Sequence, residues 1–271
     1  MKRFSIAALL TATLLTSCNK IDSVNIQPTV DFSQMEKAMQ QNTKVQASLQ
    51  NVTKMVNDIM DRAKVNGRTI ENNQVPTCAT IQADAKIKTI SVDFGAGCTS
   101  PYGTVKGSLT IVYSGTFGQT GATITVKMNN LTLGDVTMNG TFAVADFKLN
   151  AANTLDYKIN VTALSVTTSS SSVTTTVALA QTWKNFLTPA TSDDEISTLM
   201  TGSFKSGEVD YSVETTSAMI TKGSCETNVP VSGVVKLSSN NVTGTLDYGL
   251  GMCDTEGTLT VAGQSKTIQL K

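Results

Sequence analysis

Histidine is absent from the 271-residue chain. That removes His-based triads, His-ligated zinc and imidazole proton shuttles, and with them most hydrolytic designs. Aromatics are scarce at 5% and charged residues at 15%, with Lys plus Arg equal to Asp plus Glu at 21 each. Nucleic acid needs a concentrated basic surface, so it is not an expected partner. There is no Cys-x-x-Cys pair, no glycine-rich nucleotide loop with its lysine and no His-Arg-Asp loop. Nothing in the chain calls for a metal or a cofactor.

What is present begins with an address. The chain opens MKRFSIAALLTATLLTSCNK. Lys2 and Arg3 form a basic n-region, and Phe4 to Leu15 form a mostly apolar run too short to span a bilayer comfortably. Leu15-Thr16-Ser17-Cys18 then resembles the bacterial lipoprotein signal, whose lipobox ends in an obligatory cysteine. The resemblance implies a signal peptide over 1–17 and a mature chain starting at Cys18. It also implies acyl chains on Cys18 that anchor the protein in a membrane, at about 0.8 kcal/mol per buried methylene. Asn19 rather than Asp follows the cysteine. The expected location is therefore the outer membrane, on its periplasmic or cell-surface face. Without Lys2 and Arg3 the mature side chains carry 19 positive and 21 negative charges, a net −2.

Residues 18–30 read as a lipidated tether and 31–66 as a helical segment. Ser33-Gln34-Met35-Glu36 has the form of a capping box. Met35, Met39, Val45, Leu49, Val52, Val56, Ile59 and Ala63 follow at helical spacing, and Asn66-Gly67 is a fitting stop. A helix over 34–64 would be roughly 46 Å long. Its stripe is narrow and weakened at Asn42 and Gln46. It suits a helix packed on the protein's own sheet better than a coiled coil or stalk, although an adhesin or assembly partner could use it.

From Thr77 the period changes to two. Leu109, Ile111 and Tyr113 alternate with polar residues, as do Ile124, Val126 and Met128, then Leu155 to Val161, Val173 to Leu179, Val209 to Val213 and Val231 to Leu237. One apolar face per strand predicts antiparallel pairing with the other face wet. The fold class is therefore mainly β, with about a dozen strands over 77–271. They would form a strongly curved sheet or sandwich, or two modules over 77–180 and 200–271, preceded by the long helix. A transmembrane barrel fits poorly, since the strands lack paired aromatic girdles. If the sheet curls, its concave face would suit a hydrophobic ligand; an envelope protein is the other expected partner.

A phrase recurs along this body: ISVDFGAGC ends at Cys98, and GTLDYGLGMC ends at Cys253. Cys78 lies 20 residues before the first cysteine and Cys225 lies 28 before the second. Four cysteines permit three pairings, and in an exported protein the local pairs Cys78–Cys98 and Cys225–Cys253 are the economical ones. Each would contribute about 3 kcal/mol in the chain-entropy model. Asp93 and Asp247 within the phrases are the candidates for a catalytic carboxylate pair acting on envelope glycans. The competing account makes them strand-end caps, with glycines permitting positive φ beside them. Asp193-Asp194-Glu195 is the one acidic cluster, without the alternating oxygen ligands of a calcium loop. Trp183 falls on the apolar face with Val177 and Leu179, which favours core packing over a sugar platform.

The blocks TISVDFGAGCTSPYGTVKGSLTIVYSG, QTWKNFLTPATSDDEISTLMTG and CETNVPVSGVVKLSSNNVTGTLDYGLGMCDTEGTLTVAGQSKTIQL resemble an uncharacterised family of Bacteroidota lipoproteins. In these, a Pro-Val-Ser-Gly-like strand and an Asp-Tyr-Gly-x-Gly-x-Cys-like strand close the chain. The resemblance spans roughly 77–271 and implies a non-catalytic envelope lipoprotein with no assigned substrate or catalytic residue. It departs at Pro101-Tyr102-Gly103 with Lys106, where relatives often carry an Asn-Gly-Arg turn, so any role of that arginine is lost.

Overall fold

The computed structural model describes residues 31–65, 75–101, 103–225, 228–240 and 242–270. The signal peptide, Cys18, the tether up to residue 30 and Asn66-Gly67 lie outside the described residues.

Among the described residues one α-helix, α1 (Ser33–Arg62), precedes fourteen strands. They are β1 (Thr80–Asp84), β2 (Thr89–Asp93), β3 (Cys98–Ser100), β4 (Gly103–Tyr113), β5 (Ile124–Leu133), β6 (Val136–Leu149) and β7 (Thr154–Thr167). Then come β8 (Ser172–Lys184), β9 (Glu195–Ser206), β10 (Val209–Lys222), β11 (Ser232–Ser239), β12 (Val242–Leu250), β13 (Glu256–Val261) and β14 (Gln264–Gln269). All belong to one antiparallel sheet in which each strand lies beside its sequence neighbour; only β3 is off the path, paired with β4. The path runs unbroken from β1 to β14 and does not close.

The alternation is visible residue by residue. In β8, Val173, Thr175, Val177, Leu179, Gln181 and Trp183 are buried, whereas Ser172, Thr174, Thr176, Ala178, Ala180 and Lys184 are exposed. The hydroxyl-rich stretch from Thr167 to Thr176 is the hairpin between β7 and β8, continuing into β8.

The buried face is concave, and α1 lies in it. Lys44 pairs with Asp135 in the β5–β6 turn, Gln41 accepts a hydrogen bond from Ser206 at the end of β9, and Gln50 accepts one from Gln181 on β8. Thr43 shares one with Tyr248 on β12, and Glu36 accepts one from Lys266 on β14. From β6 to β14 is eight strand steps, about 38 Å if the sheet were flat. Glu36 and Lys44, which reach the two ends, are only eight residues apart, about 12 Å along the helix, so the sheet must curl around it. As a result 18 of the 30 residues of α1 are buried. The buried set is wider than the predicted stripe: it includes Asn42, Thr43, Gln46, Ser48, Gln50, Thr53, Asn57 and Asp58.

The helix ends differ from expectation in ways that have local causes. The capping box does not form: Phe32 is the N-cap, with no side-chain cap hydrogen bond. Asp31 Oδ1 instead accepts the Ser33 amide at 2.9 Å, which lowers the Asp31 carboxyl from its ordinary value, and Glu36 turns to Lys266. At the other end Lys64 takes the left-handed conformation (φ 58°). The Val65 amide donates to Met60 O and the Lys64 amide to Asp61 O. That is a Schellman motif with lysine where glycine is usual, and it ends the helix ahead of Asn66-Gly67.

Candidate functional site

The two copies of the repeated phrase have the same geometry. Asp93 Oδ1 accepts the Gly95 amide at 2.8 Å, and Asp247 Oδ1 accepts the Gly249 amide at 2.8 Å. Each aspartate thereby closes an Asx-turn, Asp93 at the end of β2 and Asp247 inside β12, where the pairing with β13 stops. The aromatic residue that follows is buried, Phe94 in one copy and Tyr248 in the other. Gly95 (φ 59°) and Gly249 (φ 92°) come next, in conformations that L side chains rarely adopt. The terminal cysteines are bonded: Cys78 to Cys98, with Cα atoms 5.9 Å apart, and Cys225 to Cys253, at 5.4 Å. The first bond pins the segment before β1 onto β3. The second joins the β10–β11 and β12–β13 loops across the intervening hairpin.

The structure does not bring the two aspartates together along the sheet. β2 is second and β12 eleventh in the strand order, nine steps apart. Asp93 does line a surface depression of about 490 Å³ on the outer face of β1, β2, β4 and β5. Thr80, Gln82, Ser91, Ser108, Thr110 and Asn129 line it as well, and no second carboxylate does. The depression is made by a bulge. β5 carries one residue more than each neighbour there: Asn130 and Leu131 stand opposite Gly107 on β4, and Asn129 and Asn130 opposite Asn139 on β6. Asn139 Oδ1 accepts the displaced Asn130 amide at 2.7 Å, so the bulge leaves no orphaned donor there.

Asp193, Asp194 and Glu195 do not converge into a metal site, and no cluster of metal-ligating side chains occurs among the described residues. Asp194 is buried, while Glu195 pairs with Lys184. Trp183 is 1% exposed and packs edge-on against Phe117 and Phe186, the core role expected of it.

The concave face is the other candidate, because a curled sheet was expected to suit a hydrophobic ligand there. In the structure α1 occupies it. Met39, Leu49, Val52, Met55, Val56, Ile59 and Met60 of α1 join the strands' inward residues in one continuous core. Beneath α1 lies a cavity of only about 20 Å³, lined by Gln46, Gln50, Gln181, Thr198, Thr221 and Asn228 among others. A ligand of lipid size would have to displace the helix. Sequence periodicity missed the amides on this face, because a single-stripe reading assigns the off-stripe positions to solvent.

Two phenols in the core are shifted. Burial pushes Tyr157 well above its ordinary value, with the negative charge of Asp194 adding to the effect. Burial likewise raises Tyr248, partly offset by its hydrogen bond with Thr43. Both stay neutral at any physiological pH, so neither is poised for acid–base chemistry.

No family model matches the chain, and no curated protein or solved structure is significantly similar to it. No helix among the described residues is long and apolar enough to cross a membrane.

Proposed function

We propose that the protein is a non-catalytic component of the cell envelope, lipid-anchored through Cys18 at the outer membrane and acting by binding or as structure. The leader and Leu-x-x-Cys order support the anchor, and the likeness of its closing strands to Bacteroidota lipoproteins supports the compartment. Two disulfides suit an exported body. The observation that carries the reading is the occupation of the sheet's apolar concave face by α1. With its greasy surface spent internally, the body has its outer faces left for partners.

The depression around Asp93 is one such surface. Its hydroxyls, amides and single carboxylate supply donors and acceptors for a hydroxyl-rich partner, the chemistry of an envelope glycan. The runner-up, a glycan-cleaving enzyme, needs two carboxylates about 5–10 Å apart across the scissile bond.

Two assays on the full chain test this. Metabolic labelling with a palmitate analogue should mark the protein, and Cys18→Ala should abolish the label and release the protein from membranes. Purified protein should bind isolated envelope glycan without shortening it, and Asp93→Asn should weaken that binding. An unlabelled wild-type protein would remove the anchor. Glycan cleavage lost in Asp93→Asn or Asp247→Asn would replace binding with catalysis.

A further inference from the structure

The small cavity under α1 has a chemistry of its own. Gln46 and Gln50 lie four apart on the helix and so share a face. Both are more than nine-tenths buried, as is Gln181 on β8. Gln181 Nε2 donates to Gln50 Oε1 at 3.2 Å and to Thr198 Oγ1 at 2.8 Å. Three buried atoms of these side chains then have no partner in the protein: Gln46 Nε2, Gln50 Nε2 and Gln181 Oε1. All three residues line the same cavity.

The class of ligand follows from that set. Two orphans are donors and one is an acceptor. An anion would be rejected by Gln181 Oε1, and a cation would meet two N–H groups. Exchanging oxygen and nitrogen in both Gln50 and Gln181 only reverses the roles and again leaves one donor and one acceptor. The ligand must therefore accept and donate at once. A volume of about 20 Å³ exceeds the ~10–15 Å³ one water needs and leaves no room for a larger molecule. We propose that this cavity is the binding site of a single structural water, which accepts from Gln46 and Gln50 and donates to Gln181. Its second hydrogen points to Thr221 Oγ1, a hydroxyl whose own proton goes to Ile196 O at 3.4 Å. Buried waters typically make about three such bonds, and this one ties α1 to β8 and β10.

Two measurements decide it. A crystal structure of the wild-type protein should show one density peak about 2.7–3.2 Å from the three amide atoms. A peak contacting only oxygens at about 2.4 Å would make it a cation site. Amides paired directly with other protein groups, with no peak between them, would also overturn the proposal. The second measurement is the melting temperature of Gln46→Met, which keeps the side chain's shape but not its donor. In a dry seam the change removes an orphaned donor and Tm rises. With the water bound it removes one of the water's partners, and Tm falls by about 2–4 °C. If the variant does not fold, the wild-type density alone decides.

Discussion

At the scale of single residues, the backbone at the β5 bulge depends on Gly107. A Cβ there would sit 2.2 Å from Asn130 O, and the residue has φ +83°. Gly107 O also accepts the Phe94 amide, the first beyond the Asp93 strand end. Neither the clash nor the conformation can be relieved by rotating a side chain. Gly107→Ala should therefore cost at least about 2 kcal/mol in denaturant unfolding. A cost below about 0.5 kcal/mol would mean that the bulge is plastic. The buried phenols give a pH prediction of defined sign. Tyr157 and Tyr248 have folded pKa values raised above the unfolded value. Their contribution is fully present below about pH 10 and is lost as pH rises past it, because only the unfolded chain ionises readily. Tyr157 and Tyr248 should yield tyrosinate absorbance only as the protein unfolds. Reversible ionisation of these two in folded protein would contradict the burial of their rings.

At the scale of elements, the sequence showed the strands well and the helix in part. Alternation such as Leu109-x-Ile111-x-Tyr113 is a direct consequence of one buried face, so β4, β5, β7, β8, β10 and β11 could be placed by period alone. The span of α1 was equally legible, within two residues at each end. Its environment was not. Asn42 and Gln46 read as breaks in a stripe, yet the curling sheet buries them together with Gln50, and curvature is a property of strands far away in sequence. The failed capping box has the same origin: Glu36 is claimed by Lys266, 230 residues away. The Asp-aromatic-Gly-x-Gly phrase, with its cysteine just beyond, was legible as scaffolding because Asx-turns and positive-φ glycines are local devices. The depression beside Asp93 was not, because it needs the bulge in β5. The disulfides belong to this scale too. Cys225–Cys253 closes a loop of separation 28, worth about 3–4 kcal/mol in the chain-entropy model. The Cys225→Ala/Cys253→Ala double variant should lose that much in equilibrium unfolding. An unchanged midpoint would show that the hairpin of β11 and β12 holds those loops without the bond.

At the scale of the whole molecule, an open antiparallel sheet of fourteen strands has one apolar face to hide and no second sheet to hide it against. The protein answers with its own helix. That explains why the aliphatic and Met residues of α1 sit at near-zero exposure, and why ion pairs such as Lys44–Asp135 and Lys266–Glu36 fasten the helix at the sheet's rim. The hydrogen bond from Lys44 holds the Asp135 carboxyl below its ordinary value. Both partners are partly solvated, so rim pairs of this kind contribute under about 1 kcal/mol each and set position more than stability. The weight is carried by the apolar contacts, at about 1.5–3 kcal/mol for each large side chain fully buried. The central claim is thus that the concave face is an internal core. The decisive measurement is mass spectrometry of solvent extracts from purified Cys18→Ala protein, which carries no acyl anchor of its own. The expected result is no stoichiometric lipid, with the amides of α1 protected from hydrogen exchange as strongly as those of the central strands. One lipid retained per chain, with α1 exchanging freely, would contradict it.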